Sequence, residues 1–543
     1  MNDSPADSGS AVPQERLFAS PVRAWELFFL GALAACLLAA VWVQSGKEYL
    51  GHDELFTGIL ASNPSLSGML NAIRHGGELN PPLYFILEWV AARLAGTSEL
   101  SLRGLSAASV VLAAWVIFFG LRPLSGPRVA ALAVALVFGL SRDVFMYMGL
   151  ARYYGFLLLL VSLGVFLVLR LSADRPVTRR DYVLIFLVHT AMVYVHLYGF
   201  FYSGVLFAAL VATDWLRGKM RWGIYATWMA AWATFVFWIP TTLQQIKSVT
   251  VGVYTPPGYY TLGFFIEELG LQIPVALVVL LGVLLGLLAL VAARPCRAGS
   301  ELAVISAPIG WAALALVAIA IMSIPVGTWA ISQVKQPPLY MRRYVFPCTA
   351  AWTLMVALVL IAVYRLRLTG GQIRNKIAPQ FSDLAWCGVL LLCLIFQPMR
   401  ARKNPARPAG AFTDEDYGYK NLPMVFEGSW GYVHRVFYGQ GRRYLLLIDH
   451  NAAEASTGWY TKCMERFFSA WYPRYEKGEV ARCEDLPDEF LAVDDDLGQT
   501  FEWVFQHRPE FKTRLLGTKE GDPKEIGQLR TYLVQRVPAA KTR

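Results

Sequence analysis

Apolar stretches long enough to cross a bilayer recur along this chain from Leu27 to Pro398. A helix crossing a hydrocarbon layer of about 30 Å needs roughly 20 mostly apolar residues. The repetition specifies a polytopic α-helical membrane protein, and with 56% hydrophobic residues the composition offers no competing class. The net charge of +10 does not indicate nucleic acid, because Lys and Arg fall in short clusters between the apolar segments, where membrane orientation requires them.

Those clusters are Arg16/Arg23, Arg122/Arg128, Arg170/Arg175/Arg179/Arg180, Arg217/Lys219/Arg221, Arg294/Arg297 and Arg365/Arg367/Arg374/Lys376. If all face the cytoplasm, each stretch between two clusters crosses the membrane an even number of times. Val129–Leu169 must then be two helices with an outward turn at Arg142–Arg152, and Val183–Trp215 two helices turning near His196-Leu197-Tyr198-Gly199. Eleven spans result, near 25–45, 104–121, 128–141, 155–171, 182–195, 198–216, 222–240, 271–293, 302–324, 344–364 and 383–397. The odd count leaves the C-terminus outside. Residues 1–23 read as a polar, disordered cytoplasmic tail. Leu27–Val43 follows that long leader without a small-residue cleavage site, so no cleaved signal is expected.

The first outer loop, residues 46–103, is the longest, and its stretch Leu55–Ile73, broken at Pro64, reads as helices lying in the membrane interface. The transmembrane unit ends at 398. Of the 88 charged residues (49 Lys and Arg, 39 Asp and Glu), 43 lie in the last 144 positions. Residues 399–543 are therefore a soluble outer domain. Tyr444–Ile448 and Thr531–Val534 read as strands, Trp459–Trp471 and Leu497–Phe505 as helices, giving a small α/β unit.

Carboxylates beside a membrane segment are costly unless water, metal or substrate holds them, which makes Gly51-His52-Asp53-Glu54 a candidate functional site. Downstream come Asn80-Pro81-Pro82-Leu83-Tyr84-Phe85, Gly96-Thr97-Ser98-Glu99 with Arg103, Ala151-Arg152-Tyr153-Tyr154 and Tyr340-Met341-Arg342-Arg343-Tyr344. This order resembles the GT-C membrane glycosyltransferases, the superfamily of the protein O-mannosyltransferases and the lipid A aminoarabinose transferase. The resemblance spans about residues 25–400 and implies an inverting transferase that moves a sugar from a polyprenyl-phosphate donor to a glycan, glycolipid or protein acceptor, as in lipopolysaccharide modification, at the outer face of a bacterial inner membrane. It further implies that Asp53 is the catalytic residue.

Such chemistry needs a base for the acceptor hydroxyl and cations for the departing phosphate. Asp53 suits the first role, since partial desolvation raises a carboxyl toward a working pKa. Glu54 is a second catalytic candidate, as a supporting partner or metal ligand, although both acids also suit a solvated helix end. Arg152, Lys335, Arg342 and Arg343 are the phosphate candidates, with headgroup binding or snorkelling as the bland alternative. His52, His75, Glu78, Tyr84, Tyr153 and His196 complete the expected substrate cavity, His196 reading equally well as a packing residue. Pro81 and Pro82 read as architectural, and Arg103 as a structural partner of Glu99. His52, His75, Asp53 and Glu78 leave a divalent metal open, but their spacing matches no standard cage, so no metal ligands are assigned. Cys463 and Cys483, the two cysteines of the outer domain, are expected to pair.

Two other functions fit a chain of this kind. A polyprenyl-lipid or polysaccharide transporter would carry charges near the midplane and two related halves; here the notable charges gather outside and no internal repeat is apparent. A lipid-linked oligosaccharide transferase differs only in moving a pre-built glycan. The donor sugar and acceptor are not encoded legibly. Orientation itself is testable: a compartment-specific reporter fused after Arg543 should be active only outside the cytoplasm, and cytoplasmic activity would put Asp53 on the wrong side.

Overall fold

The computed structural model of the protein describes residues 21–173, 176–248, 309–333, 339–369, 379–406, 417–426, 429–439, 441–447, 479–495, 510–520 and 528–537. It begins with a membrane helix, α1 (Ala24–Ser45). Three short helices fill the segment between α1 and the next long helix: α2 (His52–Ser62), α3 (Leu66–Ala72) and α4 (Leu83–Ala95). Asn63 and Pro64 separate the first two. A π-turn at Ile73–Gly77 ends the second, and the prolines at 81 and 82 start α4, where their missing N–H groups cost nothing.

The bundle continues through α5 (Glu99–Ser125), α6 (Pro127–Leu140), α7 (Arg142–Met148), α8 (Tyr154–Leu171), α9 (Arg179–Val195), α10 (Tyr198–Leu216) and α11 (Trp222–Ala233). Then come α12 (Ile239–Ser248), α13 (Ile309–Ser332), α14 (Arg342–Val345), α15 (Thr349–Thr369) and α16 (Pro379–Lys403). Among the described residues six helices are long and apolar enough to cross a membrane, and α6 and α7 meet at a bend of 68°. The shorter α9 and α11, and the 25-residue α16, fall where spans were expected at 182–195, 222–240 and 383–397. The expected span at 271–293 lies outside the described residues.

Ion pairs sort to the two ends of the bundle. At one end Arg122 holds the buried Glu26 at 2.7 Å, Arg170 reaches Asp181 at 3.5 Å, and Arg221 pairs with Asp214. The interfacial helices sit at the other end, on the far side of an apolar core running through α1, α5, α6, α8 and α13. The long α5 packs most extensively against α8. Gly155 permits that approach, since a Cβ there would lie 2.6 Å from the Ser106 carbonyl oxygen. Mid-span polarity is met in part internally: His189 stacks on Trp228 at 3.6 Å and bonds Ser203 through Nδ1 at 2.8 Å, while its Nε2 completes no hydrogen bond.

Beyond the last span lies a six-stranded mixed sheet of order β3-β2-β1-β4-β6-β5. Its strands are β1 (Met424–Phe426), β2 (Tyr444–Leu447), β3 (Glu479–Ala481), β4 (Glu489–Asp495), β5 (Phe511–Glu520) and β6 (Gln528–Arg536). The first four run parallel and β5 and β6 close one side antiparallel. Alternation divides the side chains into two cores. Val425, Leu445, Phe490, Ala492 and Val534 form a cluster of their own. Met424, Phe426, Leu446, Leu491 and Leu533 face α17 (Ser429–Tyr438) and merge into the core of the membrane unit. The helices expected at Trp459–Trp471 and Leu497–Phe505 lie outside the described residues.

Candidate active site

The acidic run opens α2. Gly51 has extended backbone at the N-cap, and the Glu54 carboxylate three residues on turns back to accept the Gly51 N–H at 2.8 Å, closing the helix start as a capping box does. The same carboxylate accepts two hydrogen bonds from Arg103, Nε to Oε1 at 2.9 Å and Nη2 to Oε2 at 3.1 Å, and one from the Ala151 N–H at 2.9 Å. Both side chains are buried. Glu54 is thus saturated, and it ties α2 to α5 and to the turn before α8. Arg103 takes Glu54 in place of the expected Glu99, which instead accepts from Tyr438 at 3.0 Å.

One residue earlier, Asp53 points the opposite way. Its side chain is 49% exposed, and Oδ2 accepts from Arg343 Nη1 at 2.7 Å. Surrounding protein pushes this carboxyl up, but the charges of Arg152 and Arg343 outweigh that and hold it below the usual carboxylate value. The expectation of a raised pKa from desolvation is reversed in this state, because two guanidinium groups reach the site from α14 and the turn before α8.

Arg152 is buried. Its Nη1 donates to the Asp53 carbonyl oxygen at 3.2 Å, Thr57 Oγ1 at 3.3 Å and Glu78 Oε2 at 2.9 Å, while its guanidinium lies 4.9 Å from the Tyr153 ring centre. Glu78 also accepts from Asn80 Nδ2 at 2.9 Å, and Asn80 Nδ2 donates to Tyr153 Oη at 3.0 Å. Gln245 of α12 bonds the Glu78 carbonyl oxygen at 2.6 Å and that of Ile73 at 2.9 Å. Arg342 turns from its neighbour to Asp143 at 2.6 Å. Consecutive residues at a helix start diverge by about 100°, so the two arginines serve separate carboxylates.

His196 ends α9 beside this network, buried between Tyr153 (ring centres 4.8 Å apart) and Tyr344 (4.7 Å). Its Nδ1 accepts the Tyr198 N–H at 2.9 Å, which leaves the proton of a neutral ring on Nε2. Burial, with Arg152 and Arg343 nearby, lowers its pKa to about 3, and burial also lowers that of His52 to about 3. Both rings are uncharged at neutral pH. Tyr84 is fully buried with its ring edge-on to Tyr153. Glu88, one turn further along α4, is buried as well, and burial raises it to about 8; neither its oxygens nor the Tyr84 hydroxyl complete a hydrogen bond.

Lys335 and the side chain of His75 lie outside the described residues, as does Cys463 and with it the expected disulfide; Cys483 is buried. Among the described residues no three His, Cys, Asp or Glu side chains converge in a metal-holding group. Asp143, Thr57, Gln245 and Glu88 were not picked out from sequence. Only Asp143 carried a signal, being a lone acid in the expected outer turn at Arg142–Arg152.

The chain has a GT-C fold, with a small sheet domain at the C-terminus. No protein-family model matches the chain, and no curated protein matches it in sequence. Solved structures do match. The chain is similar to ArnT from Cupriavidus metallidurans bound to undecaprenyl phosphate, with 14% identity over 95% of this chain and 98% of that one at a TM-score of 0.53. The apo state of that protein matches at 13% identity over 94% and 97%, with the same TM-score.

The Glu54–Arg103 contact makes a stability prediction. Arg103→Gln leaves a buried carboxylate without its cation and should cost about 3–5 kcal/mol. The thermal midpoint in detergent should fall well below that of Arg343→Gln, which opens a half-exposed pair. Equal midpoints would mean that Glu54 does not depend on Arg103.

Proposed function

We propose that the protein is an inverting glycosyltransferase that takes a sugar from a polyprenyl-phosphate donor and passes it to a hydroxyl of a cell-envelope glycan, glycolipid or protein. The observation that carries this reading is the half-exposed Asp53–Arg343 pair, set above a layer of buried pairs that neutralise Glu54, Glu78 and Asp143. A base and an anion-binding cation are thereby left together where reactants can reach them. The undecaprenyl phosphate bound to the similar ArnT supports a lipid-phosphate donor.

In the reaction, the acceptor oxygen attacks the anomeric carbon while Asp53 takes its proton. The bond from that carbon to the phosphate oxygen breaks, and the electron pair stays on the lipid phosphate. Arg343 stabilises the growing charge, with Lys335 as a further phosphate contact, while Arg342, a phosphate candidate from sequence, is held on Asp143. Arg152 and Glu78 hold the loop, the buried Tyr84 and Tyr153, cavity candidates from sequence, pack behind it, and Glu54 fixes α2 without meeting substrate. The donor phosphate competes with Asp53 for Arg343. Its binding therefore frees the carboxylate and raises its basicity at the moment the acceptor needs it. The site faces the outside of a bacterial inner membrane, with the N-terminus cytoplasmic, the C-terminal domain exported and Cys463 paired with Cys483.

The test uses the protein with its co-purified lipid-linked sugars, identified by mass spectrometry, and reads release of undecaprenyl phosphate. Asp53→Asn should slow release by roughly 10²–10⁴-fold while undecaprenyl phosphate still binds. Arg343→Gln should weaken that binding as well. Near-normal release by folded Asp53→Asn contradicts the assignment.

The pH profile is a separate check. A depressed carboxyl is an active base above its pKa and is lost as pH falls through it. The acid limb of kcat/KM should therefore lie below the ordinary value of about 4. The limb of kcat should lie higher, because bound phosphate draws Arg343 away. Coincident limbs would contradict the exchange of partners.

A further inference from the structure

The segment leading into α2 is fixed one residue after another. Lys47 Nζ donates to the carbonyl oxygens of Arg402 at 2.5 Å and Asn404 at 2.7 Å, and Asn404 Nδ2 donates to Glu48 Oε1 at 3.0 Å. Arg103 holds the carbonyl oxygens of Glu48 at 3.2 Å and Tyr49 at 2.9 Å. The Leu50 N–H donates to the hydroxyl of Tyr438 at 2.9 Å, and the next amide, Gly51, goes to Glu54. Asp53 follows two residues later.

Three of these anchors, at residues 402, 404 and 438, come from beyond the apolar part of the last span. Tyr438 is the most telling. Its hydroxyl accepts from Leu50 and donates to Glu99 at 3.0 Å, joining the lead-in to the start of α5, while its ring meets Tyr49 edge-on at 5.0 Å. Its neighbour Phe437 presses on Gly58 in the middle of α2. A Cβ on Gly58 would stand 2.6 Å from Phe437 Cζ and 2.9 Å from a Leu102 methyl. A cavity of about 230 Å³, lined by Ser62, Thr97, Glu99 and Tyr438 among others, opens beside this junction. The two hydrogen bonds of Tyr438 and the contact of Phe437 with Gly58 together tie α2 and its lead-in to α17.

We propose that α17 of the C-terminal domain positions the active site, Tyr438 and Phe437 setting the place of α2 and so the aim of the Asp53 carboxylate. They are positioning residues: neither touches Asp53, and the effect passes through Leu50 and Gly58. The inference rests on the glycosyltransferase reading for its activity arm but not for its structural arm.

The experiment uses the full-length protein in nanodiscs. Tyr438→Phe keeps the ring and deletes both hydrogen bonds. It should accelerate hydrogen exchange at residues 48–58 by about tenfold or more and reduce release of undecaprenyl phosphate severalfold at saturating donor, with undecaprenyl phosphate affinity unchanged within about twofold. Gly58→Ala should act likewise. Phe437→Leu, which lacks the Cζ atom that collides, should restore part of the rate when added to Gly58→Ala, the contact with the Leu102 methyl remaining. General misfolding would lower affinity and rate together and would not be rescued by a second substitution. Unchanged exchange in Tyr438→Phe, or joint loss of affinity and rate without rescue, overturns the proposal. Asp53→Asn in the same preparation separates the two readings. Normal release by that variant removes the glycosyltransferase reading, and hydrogen exchange then decides the positioning claim by itself.

Discussion

The end of the bundle that carries α2, α3 and α4 depends on the burial of Glu54. A carboxylate cannot stay charged in such a place without strong compensation, and Glu54 receives it from Arg103 and two backbone amides. Those partners belong to the lead-in of α2, to α5 and to the turn before α8. One side chain therefore sets the position of three segments. Satisfying it leaves Asp53, the adjacent residue, facing away from the core on a helix that is not free to tilt.

The remaining charges follow the same logic in two layers. Glu78 and Asp143 are buried and matched to Arg152 and Arg342. Asp53 and Arg343 are matched too, but half in solvent, where an ion pair is worth little and a phosphate oxygen can replace the carboxylate. On the proposed reading, affinity for an anion and basicity toward a hydroxyl are linked through one guanidinium. The merged core of the sheet and the membrane unit, together with Tyr438, brings the C-terminal domain into that linkage rather than leaving it an appendage.

Much of this was legible in the sequence because it is written in local periodicity and charge. The spans, the helices of the first outer loop and the break at Pro64 follow from apolar runs and helix breakers. The turns at Arg142–Arg152 and at His196–Gly199 follow from charge parity. What escaped was long-range pairing. Glu99, four residues before Arg103 on the same helix, is the partner that local spacing favours, yet burial of Glu54 wins because an unpaired buried charge costs far more than an exposed pair returns. The lowered pKa of Asp53 was hidden for the same reason: its cations arrive from about a hundred and about three hundred positions away. In the C-terminal domain, β1 and β3 are only three residues each, too short for alternation to register.

The exchange of partners at Arg343 can be seen directly. A cryo-electron microscopy structure in nanodiscs with undecaprenyl phosphate should place a phosphate oxygen within hydrogen-bond distance of Arg343, with the Asp53 carboxylate released and the Glu54–Arg103 contact intact. A lipid phosphate bound elsewhere, with Arg343 still on Asp53, would contradict the account.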